Sequence, residues 1–170
     1  MTTEQLLSEA RERLERVAPE QAQAAARAGA LLIDIRSEVQ RERDGVIPGS
    51  RFIARNVLEW RCDAASPWHD PVVKDAHARL IVICNEGYQS SLAAATLQRL
   101  GLVDATDVIG GFQAWKAAGL PVRPITTGGA RQVIGDERGW RSEEDEQPLG
   151  KPGENLALDH RGGQLKASRV

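Results

Sequence analysis

The stretch LIVICNEGYQSS, residues 80–91, constrains this chain most: an apolar run ends in a cysteine, and a short glycine-bearing loop then gives way to a helical pattern. Leu80, Ile81, Val82 and Ile83 are continuous, mostly β-branched and too few for a helix, which predicts a strand covered on both faces. Cys84 then stands at the carboxyl end of that strand. Over residues 90–100 apolar side chains recur at Leu92, Ala93, Leu97 and Leu100, and Gly101 follows as a helix stop. The amides of residues 85–91 are expected to curl inward over the helix N-terminus. Ligands of open α/β sheets bind outside the carboxyl ends of strands, and curled amides at a helix N-terminus stabilise anions. A cysteine placed there is expected to be reactive, because the thiolate is the nucleophilic form.

The rest of the chain supplies the neighbours this strand needs. Residues 1–16 carry Leu6, Leu7, Ala10 and Leu14 among many charges, the stripe of an amphipathic helix over 3–16, with Thr2 and Gln5 as a capping box. Residues 19–28 read as a second helix, opened by Pro19 and closed by Gly29. Residues 31–35, LLIDI, read as a buried strand, residues 107–109 as a short one, and residues 112–118 as a last helix before Gly119 and Pro121. Strands alternating with helices predict a parallel or mostly parallel sheet built from βαβ units. Between residues 45 and 75 breakers at Pro48, Gly49 and Pro67 predict an irregular segment over the sheet edge. Residues 124–170 change character, with paired glycines, prolines and an acidic block from Glu143 to Glu146, and are expected to be a polar tail, mostly extended or disordered.

Composition closes off several functions. A net charge of −2 over 170 residues leaves no electrostatic footprint for nucleic acid or an acidic membrane surface. No long apolar run predicts a membrane span or a secretory signal, so the expected location is the cytoplasm. Two cysteines, Cys62 and Cys84, are too few for a disulfide scaffold and fit a reducing compartment. His69, His77 and His160 have no metal-ligand spacing, and neither a metal nor a cofactor is expected.

Three segments in order, LLIDIRSE followed by GVIPGS, then CNEGYQSS, then VIGGFQAWKAAGLPV, make the chain resemble the single-domain rhodaneses, a sulfurtransferase family, over residues 17–123. The resemblance implies an α/β fold with a central, mainly parallel five-stranded sheet flanked by helices on both faces. It also implies sulfur transfer by double displacement: Cys84 takes sulfane sulfur from a small donor such as thiosulfate or a persulfide, becomes a persulfide, and hands the sulfur to a thiol or another thiophilic acceptor, including a protein. A persulfide anion needs amide donors and no general base if the thiol is already ionised. The loop residues Asn85, Glu86, Gly87, Tyr88, Gln89, Ser90 and Ser91 are the implied substrate cradle. Its length matches the sulfurtransferases and is one residue shorter than in the related cell-cycle phosphatases.

The chain departs from the family pattern where the loop ordinarily carries arginine and here carries Gln89. Arginine offers an oxyanion a charged fork, glutamine only a neutral amide. Glu86 adds a negative charge beside the nucleophile, so a small anionic donor is disfavoured. Arg55 and Arg61, in the irregular segment, are the candidates for a replacement cation over the pocket. Two activities follow: a sulfurtransferase preferring a bulkier or protein-bound persulfide, or a catalytically weak binding or redox-sensing module. The family's histidine before Ile-Pro-Gly is Val46 here, a surface or packing change. Asp34 and Arg36, ending the neighbouring strand, are expected to pair with each other or with the turn, and Phe112 and Trp115 to anchor the core. Cys62 is expected to be a passive loop cysteine. Trp60, Trp68 and Tyr88 are candidates for an aromatic rim at the pocket mouth.

Overall fold

A computed structural model describes residues 1–73 and 79–125. The expected tail from residue 126 on, with His160, and the position of His77 lie outside the described residues. Six α-helices and four strands follow one another as α1 (Thr3–Glu12), α2 (Pro19–Arg27), β1 (Leu31–Asp34), α3 (Glu38–Asp44), β2 (Arg51–Phe52), α4 (Leu58–Cys62), β3 (Leu80–Ile83), α5 (Gln89–Arg99), β4 (Thr106–Asp107) and α6 (Gly111–Ala117), with a 3₁₀ turn at Arg55–Val57 before α4.

The strands form one parallel sheet in the order β2-β1-β3-β4. Strands β1 and β3 hold its centre, Leu31 opposite Leu80 through Asp34 opposite Ile83. Alternation along them separates two cores. Ile33, Ile35, Leu80, Val82 and Cys84 face a cluster containing Leu14, Leu58, Cys62, Ala93, Ala94 and Leu97. Leu32, Ile81 and Ile83 face the other, with Val17, Ala22, Val108, Phe112 and Trp115. Burial on both faces is why the β3 sequence is continuously apolar rather than alternating. Helices α1, α4 and α5 belong to the first layer, and α2 and α6 to the second.

The expected fifth strand is absent among the described residues. Beside β4 there is instead a one-residue parallel bridge, Val17 with Val108, made by Val17 N–H to Asp107 O at 3.1 Å and Ile109 N–H to Val17 O at 2.9 Å. It cannot grow into a strand because Pro19, two residues on, lacks an N–H and already opens α2. The same bridge shortens the first helix. Thr2 and Gln5 form the expected capping box, but α1 ends at Glu12 rather than residue 16, since residues 13–18 must run out to bring Val17 to the sheet. Helix α3 was not anticipated; its start is a second capping box, Ser37 with Gln40. Val46, where a surface or packing change was expected, is buried at 3% exposure and bridges Arg123, so the change is one of packing.

Candidate active site

Cys84 follows β3 directly, 5% exposed, in the loop that starts α5. Its sulfur receives the N–H of Gly87 at 3.1 Å and of Ser90 at 3.4 Å, and lies 3.2 Å from Ser90 Oγ. Gly87 achieves this with φ +79°, the left-handed region that glycine enters without a side-chain clash. The sulfur also faces the N-terminus of α5, an eleven-residue helix whose dipole favours an anion there. Ser90 Oγ donates in turn to Asp107 Oδ2 at 2.9 Å, and Ser91 Oγ lies 2.8 Å from the same carboxylate oxygen. In the thiol state a chain of two hydrogen bonds therefore runs from Cys84 through the Ser90 hydroxyl to a fully buried carboxylate at the end of β4.

The closing segment forms the seat of this loop. The first amides of α6, which have no partner inside their own helix, donate to the loop carbonyls: Phe112 N–H to Cys84 O at 2.8 Å and Gln113 N–H to Asn85 O at 3.0 Å. The Gln113 side chain donates to Asn85 Oδ1 at 3.0 Å. Gly111 is packed so closely that a Cβ there would stand 2.5 Å from Cys84 O and 2.7 Å from Gly87 N. The segment GGFQAW thus lets two backbones touch.

A cavity of about 870 Å³ opens over Cys84. Asn85, Glu86, Tyr88, Gln89 and Arg55 line it, as do Arg36 and, from α3, Glu38 and Val39. Ser90 and Ser91 lie behind the loop, buried and bonded to Asp107, rather than at its mouth. Arg55 reaches the cavity paired with Glu59, at 2.8 Å. Arg61 does not line it: its guanidinium is held by Asp70 Oδ2 at 3.3 Å and Trp68 O at 3.1 Å. Of the aromatic candidates only Tyr88 lines the cavity. Asp34 and Arg36 form a buried ion pair at 2.7 Å, with Arg41 at 3.4 Å from the same carboxylate and the Arg36 guanidinium 3.5 Å above the Phe112 ring.

Cys62 is not in a loop but ends α4, 1% exposed. Burial, reinforced by Asp70 and Glu59 and opposed by Arg61, pushes its thiol up from 9.0 to about 12. Both cysteines are free thiols. Among the described residues no group of three His, Cys, Asp or Glu side chains is placed to hold a metal, and no helix is long and apolar enough to cross a membrane.

Asp107, Arg11 and Arg16 escaped the sequence reading. Arg16 holds Asp107 through Nε at 2.7 Å and Nη2 at 3.0 Å, and both arginines donate to the Gly87 carbonyl. No local motif marks these residues; only the pairing of β4 with β3 and the docking of α1 on α5 bring them to the loop.

Residues 18–118 match the family model described as the rhodanese-like domain. The chain belongs to the rhodanese-like family. A relative from Pseudomonas savastanoi pv. phaseolicola, named thiosulfate sulfurtransferase GlpE, is 35% identical over 103 residues, 60% of this chain and 87% of the relative. Among solved structures, a Rhodopseudomonas palustris protein described as a possible tyrosine phosphatase superposes with TM-score 0.67 at 34% identity, over 72% of this chain and 95% of that one. A rhodanese-related protein from Thermoplasma volcanium gives TM-score 0.51 at 25% identity, over 64% and 96%. The family and the parallel sheet flanked by helices thus agree with the sequence reading, apart from the count of strands.

Proposed function

We propose that this chain is a persulfide-forming sulfurtransferase whose nucleophile is Cys84. The observation that carries the reading is the environment of its sulfur, with two backbone N–H groups and one hydroxyl around it at a helix N-terminus. The Cys84 thiolate attacks the sulfane sulfur of a donor. The donor's S–S bond breaks, its leaving group takes the electron pair (sulfite in the case of thiosulfate), and Cys84 becomes a persulfide anion. An acceptor thiolate then attacks the outer sulfur, and the Cys84 thiolate leaves. No oxidant and no general base is required, and the amides that stabilise the thiolate are placed to stabilise the persulfide as well. Two free thiols suit a reducing compartment such as the cytoplasm.

The cavity favours a bulky donor or acceptor over a small inorganic anion. Its volume falls in the range of sites that enclose drug-sized molecules. The charge balance of its lining is negative, because Arg36 is tied to Asp34 and Arg55 to Glu59 while Glu38 and Glu86 face the same space. A low-molecular-weight or protein-bound persulfide, with Asn85, Glu86, Tyr88 and Gln89 as contacts, fits such a lining. Phosphate chemistry is disfavoured by the same balance, because a phosphoryl dianion needs the cation that Gln89 replaces.

The test is mass spectrometry of the intact protein after incubation with thiosulfate or with a small persulfide, beside Cys84→Ser. Gain of one sulfur atom, removed by an added thiol and absent from the variant, is the expected result. If no donor adds sulfur to Cys84, the enzymatic reading fails and a binding or redox-sensing role takes its place.

A further inference from the structure

The segment before the family-matched residues carries two arginines whose contacts converge on the back of the active-site loop. Arg11, on α1, donates from Nη2 to Gly87 O at 2.8 Å and from Nε to Ser91 Oγ at 3.2 Å. Its guanidinium lies 5.6 Å from the centre of the Tyr88 ring. Arg16 reaches Gly87 O at 3.2 Å while holding Asp107 with two bonds. Gly87 is therefore pinned by its carbonyl on one side while its N–H is aimed at Cys84 Sγ on the other.

The charges behind the loop do not cancel. Asp107, buried and one hydroxyl away from Cys84, would repel a thiolate if left bare, and Arg16 neutralises it. Arg11 makes no ion pair among the described residues, so Arg11, Arg16 and Asp107 together carry one net positive charge, with Glu4 and Glu12 on the outer side of Arg11. In front, the lining arginines Arg36 and Arg55 are taken by Asp34 and Glu59, and Glu38 and Glu86 face the same space. We infer that Arg11 and Arg16 are positioning residues of the active site, holding the Gly87 amide on Cys84 and supplying from behind the loop the positive charge that Gln89 no longer supplies within it. The inference rests on Cys84 acting as a thiolate, as in the proposed reaction.

The experiment compares wild type, Arg11→Gln and Arg11→Lys as full chains. Iodoacetamide labelling of Cys84 is followed against pH by mass spectrometry of its peptide, alongside thermal unfolding and sulfur loading from a small persulfide. Arg11→Gln is expected to lower the rate of Cys84 labelling roughly threefold to tenfold at neutral pH. Sulfur loading falls in step. Arg11→Lys, which keeps the charge, restores most of the rate. A thermal midpoint lowered equally by both substitutions with the labelling rate unchanged overturns the inference, since that is the mark of a purely structural contact. Arg16→Gln strands Asp107, so it is paired with Asp107→Asn, and that double variant is expected to retain the fold. If wild type loads no sulfur yet Arg11→Gln still slows labelling, the arginine clamp stands and the sulfurtransferase reading falls.

Discussion

Replacing Gly111 by alanine tests whether the closing helix α6 holds the Cys84 loop by direct backbone contact. Two costs add. At φ +60° an L-residue pays the left-handed penalty, ~1–2 kcal/mol. Its Cβ would also meet Cys84 O at 2.5 Å, Gly87 N at 2.7 Å and Asn85 C at 2.8 Å, all backbone atoms of one tight loop that cannot rotate away. Forcing a methyl into such packing costs ~1–3 kcal/mol, for a total of ~2–5 kcal/mol. Gly119→Ala is the matched control: φ is +68°, but nothing lies within 4 Å of the new Cβ, so only the ~1–2 kcal/mol conformational term applies.

Urea unfolding of the three proteins reads the difference, provided the m-value is unchanged. Gly111→Ala should lie about 1–3 kcal/mol below Gly119→Ala. It should also load sulfur on Cys84 more slowly, because the displaced loop carries the Gly87 and Ser90 amides off the sulfur. Equal destabilisation by the two substitutions would mean that the loop yields freely to the new methyl, and the argument that α6 is its seat would be wrong.

Gln89→Arg is expected to raise kcat/KM for thiosulfate about tenfold or more, through a lower KM, from one charge-assisted contact of ~1.5–3 kcal/mol at the loop, and steady-state kinetics with thiosulfate check it; an unchanged KM would place the donor's oxygens elsewhere. Iodoacetamide near neutral pH should label Cys84 and spare Cys62, whose thiol is pushed up to about 12 by burial and by Asp70 and Glu59, while Cys62→Ser should leave sulfur turnover unchanged. Because folded Cys62 keeps its proton to higher pH than the unfolded thiol at 9.0, its contribution to stability is complete below pH 9.0 and declines as pH rises toward about 12. Unfolding curves in that window should show a steeper loss for wild type than for Cys62→Ala.

The parts legible in the sequence were those whose causes are local. Leu31–Asp34 and Leu80–Ile83 announce themselves because a strand buried on both faces leaves a continuous apolar run. Cys84, Gly87 and the helix after them could be placed because strand end, turn residue and helical pattern follow in one short segment. Strand β2 is two residues, too short for any period, and exists only as the partner of β1, whereas the short strand expected at 107–109 is β4, Thr106–Asp107. The Asp107 role was hidden all the same: it sits 17 residues from Ser90, and only the pairing of Asp107 with Val82 brings its carboxylate beneath the start of α5. Arg11 and Gly87 are 76 residues apart. Helix α3 is different, since Ser37 and Gln40 spelled a capping box that was readable and was passed over.

The contacts of Gly87 divide the site into two independently tunable halves. Its N–H serves the Cys84 sulfur, its carbonyl takes Arg11, Arg16 and Ser91, and its missing side chain leaves room for Gly110 N, which a Cβ would approach to 2.8 Å. The groups that hold the Cys84 loop from behind thus come from α1, Arg16, β4 and α6. Everything that meets a donor lies in front, where Glu38, Arg55, Glu86, Tyr88 and Gln89 line the cavity. Changes in front alter ground-state and transition-state binding of a given donor together and so move KM. Changes behind alter the thiolate that every donor must meet and so move the chemical step. On the proposed reaction, a chain built this way can carry Gln89 in its loop, with weaker affinity for a small anion, and still keep Cys84 as its nucleophile.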